Sequence, residues 1–207
     1  MATTKAKLAE QVLRIIQGGS ISDDSDIDTR EIILHIEQER DRLIKQMILL
    51  NFKMGEHEIN GNYLSSYQEN VFNDTERGKK YVKVPYMPID LPNDGGFFSL
   101  SEYGNETKSF IRNSANSLSL YDGLGAENNI GRMSYYIEGS KAYLNNSPNG
   151  VTKLLWRLVV SSKDIEDDEP FPVCADMESE IIKSVIQLYT IMDNIEQDNR
   201  NDLIDNK

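Results

Sequence analysis

The chain has 207 residues, of which 39% are hydrophobic and 27% charged, and it carries a formal net charge of -12 at pH 7. This charge argues against non-specific binding to nucleic acids, because such binding depends on Lys and Arg side chains that displace counterions from phosphates. The sequence contains no apolar run long enough for a membrane span or a signal peptide, so we expect a soluble, unsecreted protein. Its single cysteine excludes an intrachain disulfide, which fits the reducing cytoplasm.

A first amphipathic helix is predicted over residues 4–17. Its apolar residues recur three or four positions apart, as they do on the buried stripe of a helix. They are Leu8, Val12, Ile15 and Ile16. Thr3 or Thr4 is suited to cap the start of the helix, and Gly18 tolerates the positive φ that is common at a helix end.

A second, longer helix is predicted over residues 29–53, with Asp28 and Glu31 as a capping box. One stripe of this helix is apolar and is expected to be buried along most of its length: Ile32, Ile36, Leu43, Met47 and Leu50. The opposite face is polar and is expected to be solvated, with ion pairs between neighbouring charges: Glu37, Gln38, Glu39, Arg40, Asp41 and Lys45.

The middle of the chain, residues 59–172, is predicted to be rich in strands and loops, because short runs of β-branched and aromatic residues alternate with Asn, Asp, Gly and Pro. Residues 81–87 suggest a strand that Pro85 and Pro88 would confine to a sheet edge. The other predicted strands are GGFFSL at 95–100, a hairpin of 135–137 with 141–144 around the turn Glu138-Gly139-Ser140, and the buried run LLWRLVV at 154–160.

A long loop is predicted over residues 104–131, which are dense in Asn, Ser and Gly. Such a segment is too polar to build much of a core, and it is long for a connection in a compact domain. Loops of this length are usually functional or disordered, so we expect this one to serve a contact or to remain without fixed structure.

A third helix is predicted over residues 176–196, with Asp176 as its N-cap. Its apolar stripe is Met177, Ile181, Val185, Leu188, Met192 and Ile195. The sequence therefore predicts one α+β domain over residues 1–207: helical over 1–58, β and loop over 59–172, helical over 173–196 and a flexible tail over 197–207. The C-terminal helix is expected to pack back on the long helix.

The acidic run before the second helix has the alternating spacing of an EF-hand calcium loop at Asp24, Asp26 and Asp28. The sixth position of that loop would be Thr29 instead of Gly, and the twelfth would be His35 instead of Glu. An acidic cap that leads into a long helix explains the same residues better, and calcium binding is not expected.

The remaining candidates for chemistry are equally isolated. Gly123, Gly125 and Gly131 lack the spacing, strand and helix of a dinucleotide site. His57 and His35 have no clustered ligands for zinc, and Cys174 has no nucleophile context and is interpreted as a small buried apolar group. We therefore expect no catalytic, cofactor-binding or metal-binding residue, no cofactor and no enzymatic activity.

Tyrosine is frequent in the middle of the chain, where it would suit either a ligand platform or half-buried strand positions. The residues concerned are Tyr63, Tyr67, Tyr81, Tyr86, Tyr121, Tyr135, Tyr136 and Tyr143. We favour half-buried strand positions, while noting that tyrosines on a strand edge also suit contacts between subunits.

Three segments carry a resemblance to a known class of protein: DIDTREIILHIEQERDRLIKQMI, the hairpin YIEGSKAYL followed by LLWRLVV, and PFPVCADMESEIIKSVIQLY. In this order they resemble the connector proteins that form rings between head and tail in tailed bacteriophages, those of the crAss-like podoviruses above all. The resemblance implies a structural virion protein, assembled in the host cytoplasm into a homo-oligomeric ring, typically a dodecamer. That ring would join the portal protein to other tail or ring proteins, and DNA would pass through its lumen without specific binding.

Three segments are the interface candidates of such a ring: the first helix, the loop at 104–131 and the tail after Ile195. The last two cannot bury enough apolar surface on their own. Two other classes stay open. The chain is also compatible with a small acidic binding module or assembly chaperone of the cytoplasm that recognises basic partners, and with a hydrolase whose catalytic carboxylates lie in the loops.

Overall fold

The computed structural model describes residues 3–18, 27–55, 59–91, 95–113 and 132–204. Its contacts divide the chain into two compact units, one formed by Met1–Tyr63 with Ser161–Lys207 and the other by Leu64–Val160. Helices form the first unit, which we call the helical unit, and strands form the second, which we call the barrel unit. The fold is therefore mixed α+β, as predicted, while the grouping of both units into one domain stays a prediction.

The first two helices lie where their periodicity and caps place them. Helix α1 spans Lys5–Ile16, and its N-cap is Thr4, whose hydroxyl accepts a hydrogen bond from the backbone N–H of Lys7 at 3.3 Å. Helix α2 spans Thr29–Lys53. The side chain of its N-cap Asp28 accepts a hydrogen bond from the backbone N–H of Arg30 at 2.9 Å. In the predicted capping box this side chain would instead accept from the backbone N–H of Glu31.

The burial of α2 differs from the prediction on both faces. Its buried residues are Ile32, Ile36, Arg40, Leu43, Ile44 and Ile48. The predicted apolar stripe is buried as far as Leu43, but Met47 and Leu50 further along it are exposed. The prediction of a solvated polar face is wrong for Arg40, which is fully buried. The segment 161–172 covers it, since the guanidinium bonds to Ser162 and Pro172.

The third helix, α3, spans Ala175–Ile204. It begins one residue earlier than predicted, so Asp176 lies in its first turn with Glu178 instead of at the N-cap, where both carboxylates complement the partial positive charge of the helix terminus. The helix also continues past the predicted end at 196, into the segment expected to be a tail. Short 3-10 helices at Gly61–Tyr63 and Ser162–Asp164 complete the helical unit.

The barrel unit is a single sheet that closes on itself. Its strands are β1 (Ser65–Asp74), β2 (Lys79–Lys83), β3 (Phe97–Glu102), β4 (Asn105–Arg112), β5 (Ser134–Glu138), β6 (Lys141–Asn145) and β7 (Lys153–Leu158). They follow the order β1-β2-β6-β5-β4-β3-β7, and β7 pairs with β1 to complete the barrel. Neighbouring strands are antiparallel except for β4 and β5, which are parallel.

Closure of the barrel corrects two predictions. An edge position was predicted for the strand near Pro85 and Pro88, but β2 ends before both prolines and pairs with β1 on one side and β6 on the other. The predicted loop at 104–131 begins with strand β4, while residues 114–131 lie outside the described part of the chain. Strands β3, β5, β6 and β7 agree with the prediction to within a few residues.

Large apolar side chains fill the inside of the barrel: Val82, Leu100, Phe110, Tyr135, Ala142, Leu144, Leu154, Trp156 and Leu158. Trp156 lies edge-on to Tyr135, with ring centroids 5.4 Å apart, and its indole N–H donates to the backbone carbonyl of Lys83 at 3.0 Å. In the β5–β6 hairpin, Gly139 adopts a φ of +60°, which explains the glycine of the predicted turn.

Candidate assembly surfaces

A buried ion pair joins α1 to α2 in the helical unit. The ammonium of Lys5 is almost fully buried and donates to the carboxylate of Glu37 at 2.5 Å. It also lies 3.0 Å from the carboxylate of Asp167. Burial by itself would lower the pKa of Lys5, but hydrogen bonds to Glu37 and Asp167 outweigh that effect and raise it. Lys5 is therefore charged at neutral pH. Its ion pair with Asp167 attaches the segment that contains Asp167 to α1.

A second buried network surrounds Arg40 and Asp41 at the middle of α2. The Arg40 guanidinium contacts Asp41 at 3.0 Å and donates to the backbone carbonyl of Pro172 at 3.2 Å. The Asp41 carboxylate accepts hydrogen bonds from the Ser161 hydroxyl at 2.8 Å and from the Ser162 hydroxyl at 2.7 Å. These bonds attach both ends of the segment 161–172 to the middle of α2.

That segment presents an acidic turn, which we define as Glu166, Asp168 and Glu169, all exposed. No cation is bonded to these three carboxylates among the described residues, whereas the neighbouring Asp167 pairs with Lys5. The backbone is fixed on both sides: the Ala6 N–H donates to the Asp167 carbonyl at 3.2 Å, and Ile165 and Phe171 are buried. The turn is therefore a rigid, negatively charged projection.

Large apolar side chains are exposed at the C-terminal end of α2. Met47, Leu50 and Met54 are three and four positions apart, so they form one stripe, and the exposed fraction rises to 55% at Leu50 and 62% at Met54. We call this set the α2 stripe. Exposed apolar residues that form a contiguous patch mark interaction sites more often than scattered ones do.

An aromatic ladder crosses four strands on the outside of the barrel. It consists of Phe72 on β1, Tyr81 on β2, Tyr143 on β6 and Tyr136 on β5, each directly opposite the next in the strand register. Ring centroids lie 5.5 Å apart for the first pair, 6.0 Å for the second and 5.4 Å for the third. Such cross-strand aromatic pairs stabilise a sheet.

A cation lies over each ring of the ladder. Lys83 covers Phe72 at 5.6 Å and Lys141 covers Tyr81 at 4.6 Å. Arg77 covers Tyr143 at 4.9 Å and Lys79 covers Tyr136 at 5.2 Å. These distances are those of cation–π contacts. We call the four cations the cation layer.

Two members of the cation layer are neutralised by carboxylates. Arg77 forms an ion pair with Glu138, which raises the pKa of the guanidinium and lowers that of the carboxyl. Lys141 lies 3.9 Å from Asp74, which also accepts a hydrogen bond from the Tyr143 hydroxyl. Lys79 and Lys83 form no ion pair among the described residues. The barrel therefore presents positive charge on a chain that is strongly negative overall.

The residues considered for chemistry remain apart. His35 lies 3.8 Å from Glu31 and packs edge-on against Tyr189. Cys174 lies 3.3 Å from the Tyr63 hydroxyl, whose pKa burial raises. Within the described ranges no group of three or more His, Cys, Asp or Glu side chains is placed to hold a metal ion. Residues Asp24, Asp26, His57, Gly123, Gly125 and Gly131 lie outside those ranges.

The tyrosines divide between the inside and the outside of the barrel. Tyr135 is inside, Tyr136 and Tyr143 are buried beneath cations on the outside, and Tyr86 is exposed. Tyr63 lies in a 3-10 helix instead of a strand, and Tyr121 is not described. The aromatic ladder was not predicted from the sequence. The alternation Lys79-Tyr81-Lys83 could have indicated part of it, since residues two apart in a strand share a face.

We expect Tyr189→Phe to make the protein more resistant to alkali. The Tyr189 hydroxyl is buried without a hydrogen-bond partner in the described part of the chain, and burial raises its pKa to about 12. The unfolded chain thus loses this proton at lower pH than the folded protein, so stability falls as pH rises from 10 toward 12. The variant should be at least as stable as the wild type at pH 7, because a buried hydroxyl without a partner costs free energy, and it should lose less stability over that range.

Chemical denaturation at a series of pH values measures this effect, with Tyr103→Phe, which removes an exposed hydroxyl, as the control. Identical pH dependence in wild type and Tyr189→Phe would show that the hydroxyl has a partner or is solvated.

Comparison with known proteins gives no match: no protein-family model fits the chain, and no curated protein is similar to it in sequence. In the described residues, no helix is both long enough and apolar enough to cross a membrane.

Proposed function

We propose that the chain is a structural virion protein that forms a ring in the portal and tail connector of a tailed bacteriophage. In this role it joins the portal to other tail components and allows DNA to pass. The observation that carries the proposal is the α2 stripe, whose methionine and leucine side chains are left exposed beside a well-packed helical core. An apolar surface of this kind suits permanent contact with another subunit.

A rigid helical wedge suits such a ring, and the proposal takes α3 to pack back on α2. Support comes from the contact of His35 with Tyr189, whose ring centroids are 5.8 Å apart. A cavity of about 160 Å³ lies nearby and is lined by residues of both helices, including Glu39 and Ser184. The hydrogen bond from Arg42 is the main cause that lowers the pKa of Glu39, and a hydrogen bond from the Ser184 side chain lowers it further.

The net charge of -12 supports passage of DNA without binding, because a negative wall repels phosphates. The ring candidates among the segments are α1, where Ile15 is exposed, and the C-terminal part of α3 beyond Ile195. Residues 114–131, from the predicted loop, stay a candidate outside the described residues.

The proposal is tested by the mass of the purified chain, alone and mixed with the portal protein from the same genome, measured by native mass spectrometry or mass photometry. A ring, formed alone or on the portal, is expected. A chain that stays monomeric, ignores the portal and is absent from virions contradicts the proposal. Capture of a basic, non-viral partner by that monomer would instead favour a binding module or chaperone.

We expect Leu50→Glu to weaken ring formation at least about tenfold, because it places a charge in the apolar contact. Gln38→Glu is the matched control, since it adds the same charge at an exposed position of α2 away from the α2 stripe and should leave assembly unchanged. Both variants should keep the stability of the wild type to within about 0.5 kcal/mol, as exposed substitutions usually do. Equal assembly of the two variants would exclude the α2 stripe from the contact.

A further inference from the structure

The outer face of the barrel has a surplus of positive charge at one place. Lys79 and Lys83 lie four positions apart on the same face of β2, both are exposed, and neither forms an ion pair among the described residues. Phe72, 37% exposed, lies beside them beneath Lys83. A surface that combines two free ammonium groups with a partly exposed ring suits a partner that brings carboxylates and some apolar contact.

The same chain carries the complement of this surface. The acidic turn presents Glu166, Asp168 and Glu169 without a bonded cation, and its backbone is fixed by contacts with α1. Because the turn is already ordered, docking costs little conformational entropy. Pro170, which follows the three acids, is exposed and adds an apolar group that suits contact with the Phe72 ring.

We infer that the cation layer of one copy, centred on Lys79 and Lys83, binds the acidic turn of the next copy. The inference rests on the proposed ring and names its polar contact. Since the two surfaces differ, the contact is heterologous, and a heterologous contact forms a ring when the rotation between successive copies closes. The α2 stripe supplies apolar contact, and the charge pairing sets which neighbour binds and in which orientation.

A single-stranded nucleic acid is the rival occupant, because aromatic and basic barrel surfaces bind such strands by stacking. Two features disfavour it. Tyr136 and Tyr143 are buried beneath Lys79 and Arg77, so their faces are occupied and not free for bases. The chain is also strongly acidic, which opposes binding to phosphates.

Charge reversal tests the inference on the full chain. Lys79→Glu with Lys83→Glu, and separately Glu166→Lys with Glu169→Lys, should each weaken ring assembly at least about tenfold, alone and on the portal. Mixing the two double variants should restore rings of alternating subunits, because each junction again pairs opposite charges. The quadruple variant should also assemble by itself.

The matched control is Lys108→Glu with Lys153→Glu, which changes net charge equally at exposed positions on β4 and β7. This control should assemble like the wild type. Normal rings in both charge-reversed variants overturn the inference and leave the proposed function intact. A mixture of the two variants that fails to restore assembly has the same consequence. A wild-type chain that forms no ring under any condition overturns both. The surface is assigned to nucleic acid instead if the wild type binds an oligonucleotide and the double variant Lys79→Glu with Lys83→Glu does not, while ring assembly is unchanged.

Discussion

Arg40→Ala is expected to destabilise the helical unit by about 3–5 kcal/mol, because removing one partner of a buried ion pair leaves the other charge uncompensated. Arg40 is fully buried, and its loss would remove the donor to the Pro172 carbonyl and the cation beside Asp41. The Asp41 carboxylate would keep only its hydrogen bonds from Ser161 and Ser162. The side chain also packs over the Phe171 ring, with the guanidinium carbon 5.5 Å from its centroid. Truncation would therefore add a cavity to the electrostatic cost.

Chemical denaturation followed by circular dichroism at 222 nm measures this loss. Arg42→Ala is the matched control, since Arg42 is an exposed arginine on the same helix whose ion pair with Glu39 should contribute under about 1 kcal/mol. Arg40→Lys should lie between the two, because an ammonium keeps the charge but cannot bond in the planar fork of a guanidinium. Equal stabilities of Arg40→Ala and Arg42→Ala would contradict the buried network.

Trp156→Ala is expected to destabilise the barrel unit by about 3–5 kcal/mol, the usual cost of truncating a buried tryptophan. The side chain is fully buried inside the barrel, contacts Phe97 and Tyr135, and satisfies the Lys83 carbonyl. Both the packing and a hydrogen bond are lost on truncation. The far-UV spectrum and a denaturation curve of the variant report the effect.

Phe98→Ala is the control for the barrel, because Phe98 is an exposed aromatic residue on β3, and it should change stability by only about 0.5 kcal/mol. Trp156→Phe should cost less than Trp156→Ala, since it keeps most of the packing and loses the indole hydrogen bond. Trp156 is the single tryptophan of the chain, so its fluorescence reports the barrel in the Arg40 variants. A Trp156→Ala variant as stable as Phe98→Ala would contradict the packed interior.

The helices were the part of the fold that local sequence could predict, because caps and apolar periodicity are encoded within a few residues of each other. Helix α2 begins and ends at the predicted residues. The burial of Arg40 was not predictable in the same way, since a helix contacted on several sides shows no single apolar stripe. Its partners Ser162 and Pro172 are remote in sequence.

The barrel could be predicted only in pieces. Strand β1 was missed because none of its residues is fully buried, and β4 because Phe110 is its only buried residue. Closure depends on pairings between distant segments, such as β1 with β7, and no local pattern encodes these. The error about an edge strand has the same origin, since proline near a strand suggests an edge only when the sheet has one.

The two proposed contacts differ in how much of each could be predicted from the sequence. Met47 and Leu50 of the α2 stripe belong to the predicted apolar stripe of the long helix, whereas Met54 was not predicted. Only the structure separates the buried part of the predicted stripe from its exposed part. The cation layer combines residues of β2, β6 and the turn between β1 and β2, and the partnering of each cation with one ring follows from the strand register. Surfaces of this second kind become visible only when the register is known.

Electron cryomicroscopy of the junction between portal and tail, in particles of the phage in which the proposal places the chain, tests the central proposal most directly. A ring is expected at this junction, in which each subunit fits the helical unit and the closed seven-stranded barrel, with DNA in the lumen. Adjacent subunits should meet with Lys79 and Lys83 of one barrel near Glu166 and Glu169 of the next copy. A junction with no such subunit, in particles from which the chain is absent by mass spectrometry, would contradict the account.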